Sequence, residues 1–365
     1  MRVLVLGALN PNLIRAKLEP LVDCPWVERV TWIGREAGPP LAKVDYRIAA
    51  DHPNAAVRSL RLLAAAFREA LRRPDLILAY NLLPFGLAAW LCARLVRRPY
   101  AVAVIGGPRE VARGGHAEDN RLVARHPLAG RLIAPLQPRV LRGARFVTVT
   151  GGATRAALVA AGVPGDRVVA LPSAVDPTRF HPAGAPARWD VLAVARLVRR
   201  KRLDLLLDVA ERLRAGRPRL RVGIAGDGPL HGVLAAEVAR RGLAGTVELL
   251  GWHDDVRPLL WRSRVLVLTS AAEGLPLSMI EAMACALPCV APAVGDVADL
   301  VRDGDNGRLV PPGDADACAA AVAALLDDER RRRRMGEAAL ATVQAGFTTT
   351  HATARWQAVR ERFLP

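Results

Sequence analysis

The chain has 365 residues, of which 52% are hydrophobic and 24% charged. That length suggests two to three domains, and that composition supplies full hydrophobic cores and excludes a largely disordered chain. Basic side chains number 52 and acidic ones 35, a net charge of +17, and the excess is uneven: residues 1–184 hold 26 basic and 13 acidic side chains, residues 185–365 hold 26 and 22. A basic first half faces an anionic partner, whether nucleic acid, an acidic membrane leaflet or a phosphorylated substrate. Only three of the basic residues are Lys, so part of the surplus is a preference for solvated Arg, but that preference leaves the asymmetry between the halves unexplained. The five Cys are an odd number without a CxxC pair, and Cys285 and Cys289 lie in an apolar run. Buried thiols in a reducing compartment fit this usage better than a metal site or disulfides. The first apolar run, Val3–Leu6, is too short for a signal peptide, and Asn81, Pro84 and Arg94 interrupt the longest apolar stretch, Leu76 to Val96. The expectation is a soluble or surface-bound cytoplasmic protein.

In chain order, Val3–Leu6, Val30–Ile33, Leu76–Tyr80, Ala101–Ile105, Phe146–Val149 and Val168–Leu171 have the length, β-rich composition and Gly, Pro or charged boundaries of strands. Helical patterns such as Ala56–Arg73 and Gly86–Arg97 separate them. A second series follows, with strands at Val191–Ala195, Arg221–Ala225, Val247–Leu250, Val265–Thr269 and Cys289–Ala291. Its helices are Leu203–Ala215, Leu230–Arg241, Leu277–Cys285 and Ala315–Leu326. Alternating βα units predict parallel sheets covered by helices, and two series predict two doubly wound α/β domains. A Pro- and Gly-rich stretch without periodicity, near 177–187, reads as the linker. The expected division is 1–180, 181–347 and a C-terminal helix over 348–365 that packs back toward the first domain. Two such domains leave a cleft at the carboxyl ends of their strands, where ligands of this fold class bind.

The most informative stretch is Ser270-Ala-Ala-Glu-Gly-Leu-Pro-Leu-Ser-Met-Ile-Glu-Ala-Met-Ala. It follows a strand directly, and Pro276 suits the first turn of a helix. Glu273 then falls in the strand-to-helix loop and Glu281 near the second helical turn. Gly274 lets a ligand approach the backbone, and the N–H groups of Leu275, Leu277 and Ser278 face outward as an anion site. Glu273 alone reads as an acid complementing the helix dipole, whereas a second Glu in an otherwise apolar helix calls for a partner. Upstream, Arg196 ends a strand and Lys201 follows five residues later, a planar fork and a mobile point charge suited to phosphate oxygens. The turn Ala225-Gly-Asp-Gly-Pro-Leu is either a phosphate cradle or a tight turn with Asp227 as a helix cap.

The order ARLVRRK, AGDGPL, LLGWHDDV, SAAEGLPLSMIEAMA and GDVADLVRDGDNGRLVPPGD resembles the retaining nucleotide-sugar glycosyltransferases of the large family 4, which have the GT-B fold. RVVALPSAVDPTRFHP resembles the stretch leading out of that family's acceptor domain. The likeness is good over residues 145–345 and loose over 1–144. It implies that Arg196 and Lys201 bind the donor diphosphate and stabilise the leaving group. It implies further that Glu273 contacts the sugar hydroxyls beside the backbone of Gly274, Leu275, Pro276 and Leu277, and that Glu281 holds the ribose diol. Gly251 and Trp252 lie where the family passes the nucleotide base. On the acceptor side the chain departs from the family. The first loop reads Leu6-Gly-Ala-Leu-Asn-Pro-Asn, with Gly7 and Asn10 in place of paired Gly. The fourth strand ends Val104-Ile-Gly-Gly-Pro-Arg-Glu, so Gly106 and Gly107 stand without the family's His, and His116 is the candidate substitute.

Asp303-Gly-Asp305 and Asp314-Ala-Asp316 imitate a metal-binding DxD, but both sit in turn-rich sequence where Asp is expected for turn chemistry. Arg196 and Lys201 neutralise a diphosphate, so the expectation is catalysis with no metal and no cofactor. The expected partners are a nucleotide-sugar donor, a lipid-linked or glycan acceptor and an anionic membrane surface, not nucleic acid. The rival readings are a nucleotide-sugar epimerase of the same fold and a non-catalytic basic nucleic-acid-binding protein. Against the latter stand an aromatic content of 4% and no recognisable nucleic-acid module. Residues 109–155 hold nine Arg and three acids, and around Arg121, Arg125 and Arg131 the Arg interleave with Leu, Ile and Val. Those apolar residues either line the first core or meet lipid, and the charge asymmetry favours lipid. The resulting expectation is a hexosyltransferase of polysaccharide synthesis, peripheral on the inner face of the plasma membrane.

Overall fold

The computed structural model describes residues 1–48, 55–113 and 134–365. Two compact units divide the chain: Met1–Ala174 with Thr349–Pro365, and Val175–Thr348.

The first unit runs β1 (Arg2–Leu6), α1 (Pro11–Val22), β2 (Arg29–Gly34), β3 (Val44–Ile48), α2 (Ala55–Ala70), β4 (Leu76–Tyr80), α3 (Leu87–Val96), β5 (Tyr100–Val104), α4 (Pro108–Arg113), α5 (Gln137–Gly143), β6 (Phe146–Val149), α6 (Gly152–Ala160) and β7 (Val168–Ala170). Its seven strands are parallel, in the order β3-β2-β1-β4-β5-β6-β7. Val5 of β1 pairs with Trp32 on one side and Leu78 on the other. The central strands are apolar along their length (LILAY, YAVAV) because helices cover both faces of the sheet. One face carries Leu62, Ala66, Ala89 and Cys92; the other carries Ile14, Leu18 and Trp32.

The second unit runs β8 (Trp189–Val194), α7 (Leu203–Gly216), β9 (Val222–Ala225), α8 (His231–Arg240), β10 (Val247–Gly251), α9 (Arg257–Trp261), β11 (Ser263–Val267), α10 (Leu277–Ala284), β12 (Cys289–Pro292), β13 (Gly307–Val310), α11 (Ala315–Asp327) and α12 (Glu329–Gly346). Its six parallel strands follow the order β10-β9-β8-β11-β12-β13, so the chain reverses direction between β8 and β11. Both sheets are doubly wound, as the alternating pattern implies. The last helix, α13 (Thr349–Phe363), belongs to the first unit, where Trp356 and Val359 join Ile14 and Leu18 in one core.

The structure departs from the sequence expectations at the edges. Strands β3 and β13 were not expected, since VDYRI and GRLV are short, half-exposed edge segments with little apolar patterning. The units meet at 174/175, earlier than the 180/181 break expected. The Val175 N–H donates to the Phe347 carbonyl at 3.0 Å, and Phe180 is buried in the second unit's core. All five Cys are buried free thiols.

In the first unit, one buried carboxylate ties together the loops that leave β4 and β5. Glu110, 1% exposed, accepts from the N–H of Leu82 at 2.7 Å with one oxygen and from Ile105 at 3.1 Å and Gly106 at 2.7 Å with the other. Glu110→Ala leaves three N–H donors, two of them in buried bonds, without this acceptor and should lower the unfolding free energy by about 3 kcal/mol, read from urea unfolding. A change within ~0.5 kcal/mol, typical of a surface substitution, would contradict that role.

Candidate donor-binding site

Ligands of doubly wound sheets bind at the carboxyl ends of the strands, where the strand order reverses. In the second unit that point lies between β8 and β11, and the two loops leaving these strands hold most of the expected donor residues. The β8 exit runs from Ala195 through a 3₁₀ turn at Arg199–Lys201 to Arg202, whose left-handed backbone opens α7. The β11 exit runs from Leu268 to Pro276.

Charge and backbone hydrogen bonds lock these loops together. Lys201 Nζ lies 2.5 Å from Glu273 Oε1, and Arg200 Nη1 lies 3.3 Å from Glu273 Oε2. The same Arg200 nitrogen donates to the Ala272 carbonyl at 3.0 Å. The Ala271 N–H donates to the Arg200 carbonyl at 2.8 Å, and the Thr269 hydroxyl to the Lys201 carbonyl at 2.9 Å. Glu273 is only 5% exposed. Burial pushes its carboxyl up, but Lys201 and Arg200 outweigh burial and hold it below its ordinary value, so it is an ionised, paired carboxylate. Arg196 is exposed just past the end of β8, and its side chain has no hydrogen-bond or ion-pair partner among the described residues.

Two glycines make this packing possible. Gly295, in the loop after β12, has φ +56°, and a Cβ there would run into the Glu273 carbonyl. Gly226 sits at φ +139°, and a Cβ there would run into the Ala195 carbonyl at the β8 exit. The GDGP turn is therefore a close-packing element beneath the β8 exit. Asp227 does not cap α8: its carboxylate accepts from the adjacent Gly228 N–H at 2.7 Å, and Leu230 stands at the helix N-cap without a side-chain bond.

Helix α10 begins at Leu277, with Pro276 as its N-cap rather than in its first turn, and no side chain caps it. The Asp296 N–H braces the preceding loop by donating to the Gly274 carbonyl at 3.3 Å. Leu275 packs in the core, while Leu277 and Ser278 are half-buried, and their N–H groups have no acceptor among the described residues. An uncapped helix start of this kind presents donors and a positive dipole end. Glu281, further along α10, is 6% exposed. Burial pushes its carboxyl up to about 8; Arg179 pulls it back and Asp255 adds to the rise. The two carboxyl groups of this motif therefore differ in charge at neutral pH.

Gly251 ends β10 with φ +72°, and its carbonyl accepts from the Gly226 N–H at 2.7 Å. Trp252 is 47% exposed, its indole N–H donating to Asp254 at 2.8 Å. Turns and caps occupy the Asp-x-Asp pairs. Asp303 accepts from Leu309 N–H and Arg308, Asp305 pairs with Arg302, Asp314 caps α11 through Ala317 N–H, and Asp316 pairs with Arg212. Among the described residues no three His, Cys, Asp or Glu side chains form a group suited to a metal ion.

In the first unit, Gly7 follows β1, and a Cβ there would press on the Trp32 ring at 2.9 Å. Asn10 caps α1, accepting from the Leu13 N–H at 2.8 Å, with Pro11 at the first helical position. Gly106 donates to Glu110, and Gly107, at φ +84°, offers its carbonyl to the Glu110 N–H at 3.0 Å. His116, Arg121, Arg125 and Arg131 lie outside the described residues. The sequence reading missed Arg200 and Glu110. Arg200 was visible only as one of several cations in a run, and Glu110 gave no pattern, because its three partners come from two separate loops.

The second unit matches the glycosyl transferases group 1 family. That family's pattern matches residues 178–342, and the pattern of the glycosyl transferase 4-like domain matches residues 23–174. The chain is 32% identical over 142 residues to one of the subunits of phosphatidylinositol N-acetylglucosaminyltransferase from Arabidopsis thaliana, covering 38% of this chain and 32% of that protein. It is 30% identical over 170 residues to the putative colanic acid biosynthesis glycosyltransferase WcaL of Salmonella typhimurium, covering 44% and 42%. The chain thus spans under half the length of these curated relatives. HepE from Anabaena, solved in complex with UDP-glucose, superposes with a TM-score of 0.79 over 99% of this chain and 100% of that one, at 19% identity. The fold is GT-B.

The state of Glu281 has a measurable consequence. Its carboxyl rises from 4.5 to about 8 on folding, so the stability it contributes is fully present below pH 4.5 and is lost as pH rises through about 8. Glu281→Gln should abolish this loss, raising the melting temperature relative to the native protein at pH 8.5 more than at pH 5. Equal effects of the substitution at both pH values would show that Glu281 titrates normally.

Proposed function

We propose that the protein is a retaining glycosyltransferase that moves a hexose from a nucleoside-diphosphate sugar to an acceptor hydroxyl. The acceptor is a lipid-linked saccharide or glycolipid, and the enzyme acts in cell-surface polysaccharide synthesis as a peripheral protein on the inner face of the plasma membrane. The observation that carries the donor assignment is the Lys201–Glu273–Arg200 cluster at the β8/β11 reversal, beside the uncapped start of α10.

In this reading the diphosphate meets Arg196, whose side chain has no partner among the described residues, together with Lys201 and the backbone N–H groups of Gly274, Leu275 and Leu277. Two cations neutralise the diphosphate without a metal. The bond between sugar C1 and the diphosphate oxygen breaks, and the diphosphate leaves with the electron pair, stabilised by Arg196 and Lys201. The acceptor oxygen forms the new bond to C1 on the same face, and its proton passes to a diphosphate oxygen. Glu273, held ionised, accepts hydrogen bonds from the sugar hydroxyls and orients the ring. Glu281 receives the ribose diol, and Gly251 and Trp252 border the base. The first unit supplies the acceptor side through Gly7, Asn10, Gly106, Gly107 and His116.

Support for the acceptor class comes from charge and from relatives. The first half of the chain carries twice as many basic as acidic residues, 26 against 13, which suits a phosphate-linked lipid at an anionic surface. One relative belongs to a phosphatidylinositol N-acetylglucosaminyltransferase, and another is named for colanic acid biosynthesis.

A thermal-shift series with UDP, GDP, ADP, TDP and their sugars tests the donor assignment. The matching nucleotide at a hundred times its Kd should add about 2.7 kcal/mol of stability. Arg196→Ala should weaken that nucleotide by about tenfold or more, the loss of a charge-assisted bond worth ~1.5–3 kcal/mol. No melting shift with any nucleoside diphosphate at millimolar concentration would refute the function.

A further inference from the structure

We infer that the outward faces of α2 and α3 form the surface on which the protein docks to an anionic lipid bilayer. The inference rests on the membrane part of the proposed function and assigns it a place in the fold. Both helices bury small and aliphatic residues in the same core: Leu62, Ala66 and Ala70 from α2, and Ala88, Ala89, Cys92, Ala93 and Val96 from α3. They therefore pack side by side on one face of the first sheet, each with an opposite face turned away from that core.

Those outward faces are apolar where a solvated helix is polar. On α3, Leu91 and Leu95 are 40% and 59% exposed, and Arg94 stands exposed on the same stripe. Leu60 on α2 is 67% exposed, and Leu71, just past its end, 64%. These are four of the eight large hydrophobic side chains exposed among the described residues, and all four lie on these two neighbouring helices or at their ends. The Arg94 guanidinium lies over the half-buried Trp90 ring, 5.4 Å from its centroid, which places a cation and an aromatic at one level as at a lipid headgroup layer.

Charge selects the occupant. Residues 55–98 contain eight Arg and only two acids, Glu69 and Asp75. Both acids are engaged, Glu69 with Arg72 at 3.0 Å and Asp75 with the Arg2 N–H at 2.8 Å. Arg61, Arg68, Arg94 and Arg97 have no acidic partner among the described residues. A second copy of this face would set Arg against Arg, and nucleic acid offers nothing to exposed Leu. Lipid phosphates with acyl chains beneath them complement both features.

The test is sedimentation of the full chain with phosphatidylcholine vesicles, with and without phosphatidylglycerol, at low and high salt. The native protein should bind the anionic vesicles, less at high salt. Leu91→Ser with Leu95→Ser, and separately Arg61→Glu with Arg94→Glu, should each lower the partition coefficient on the order of tenfold. The nucleotide-induced thermal shift, unchanged in both variants, reports that they fold. Native binding with undiminished binding by both folded variants would overturn this surface while leaving a membrane-bound enzyme intact. Absence of native binding to anionic vesicles at low salt would overturn the membrane reading and this surface together. A dimer that the Leu variants dissociate, with no vesicle binding, would assign the face to a second copy and also overturn the inference.

Discussion

The candidate donor site depends on one buried charge. Glu273 sits in the loop leaving the strand where the order of the second sheet reverses, and a carboxylate taken out of water there is tolerable only with cations beside it. Lys201 and Arg200 supply them from the neighbouring strand's exit loop. Once that pairing is required, much of the surrounding architecture follows. The two loops must run close enough for the Ala271 N–H to reach the Arg200 carbonyl and the Thr269 hydroxyl to reach the Lys201 carbonyl. Glycine must stand at 226 and 295, where the backbone passes against neighbouring carbonyls. The chain from Glu273 into α10 is thereby fixed, and with it the direction in which the uncapped helix start points.

The paired Glu of the motif show how one loop and one helix set two protonation states. Glu273 is ionised because two cations reach it; Glu281 is held neutral because burial, reinforced by the nearby Asp255, outweighs a single Arg. Under the proposed function, an ionised acceptor at Glu273 suits a hydroxyl-rich sugar. A carboxyl poised near neutrality suits a ribose diol, to which its two oxygens offer both an acceptor and, when protonated, a donor. Arg196 differs from both: it carries charge without a partner among the described residues and so has its full donor capacity for an incoming anion.

The βα alternation, the two doubly wound units and the cation-plus-Glu set of the second unit were legible because they leave periodic or spaced marks in the sequence. Central strands such as Leu76–Tyr80 matched closely, since burial on both faces demands an unbroken apolar run. Edge strands Val44–Ile48 and Gly307–Val310 were not legible, because one-sided pairing imposes no such run. Within the site, the run Arg199-Arg-Lys offered no rule for which cation meets Glu273; the 3₁₀ turn and the backbone bonds decide that. The GDGP turn reads as a phosphate cradle or a capped turn, whereas its Gly226 packs against the Ala195 carbonyl, 31 positions away in the chain, a contact that leaves no local mark. Glu110 left no mark at all, because its role is defined by N–H groups at 82, 105 and 106 that only the folded sheet brings together.

A double-mutant cycle on Lys201 and Glu273, read as unfolding free energy at neutral pH, tests the dependence on the buried charge most directly. Lys201→Met alone strands the Glu273 carboxylate with Arg200 and should cost about 3 kcal/mol, the lower end of the range for a broken buried pair. Lys201→Met combined with Glu273→Gln should cost far less than the two single changes together, a coupling of about 2 kcal/mol or more. Additivity within ~0.5 kcal/mol would show that the pair does not hold the two exit loops together and would contradict the account.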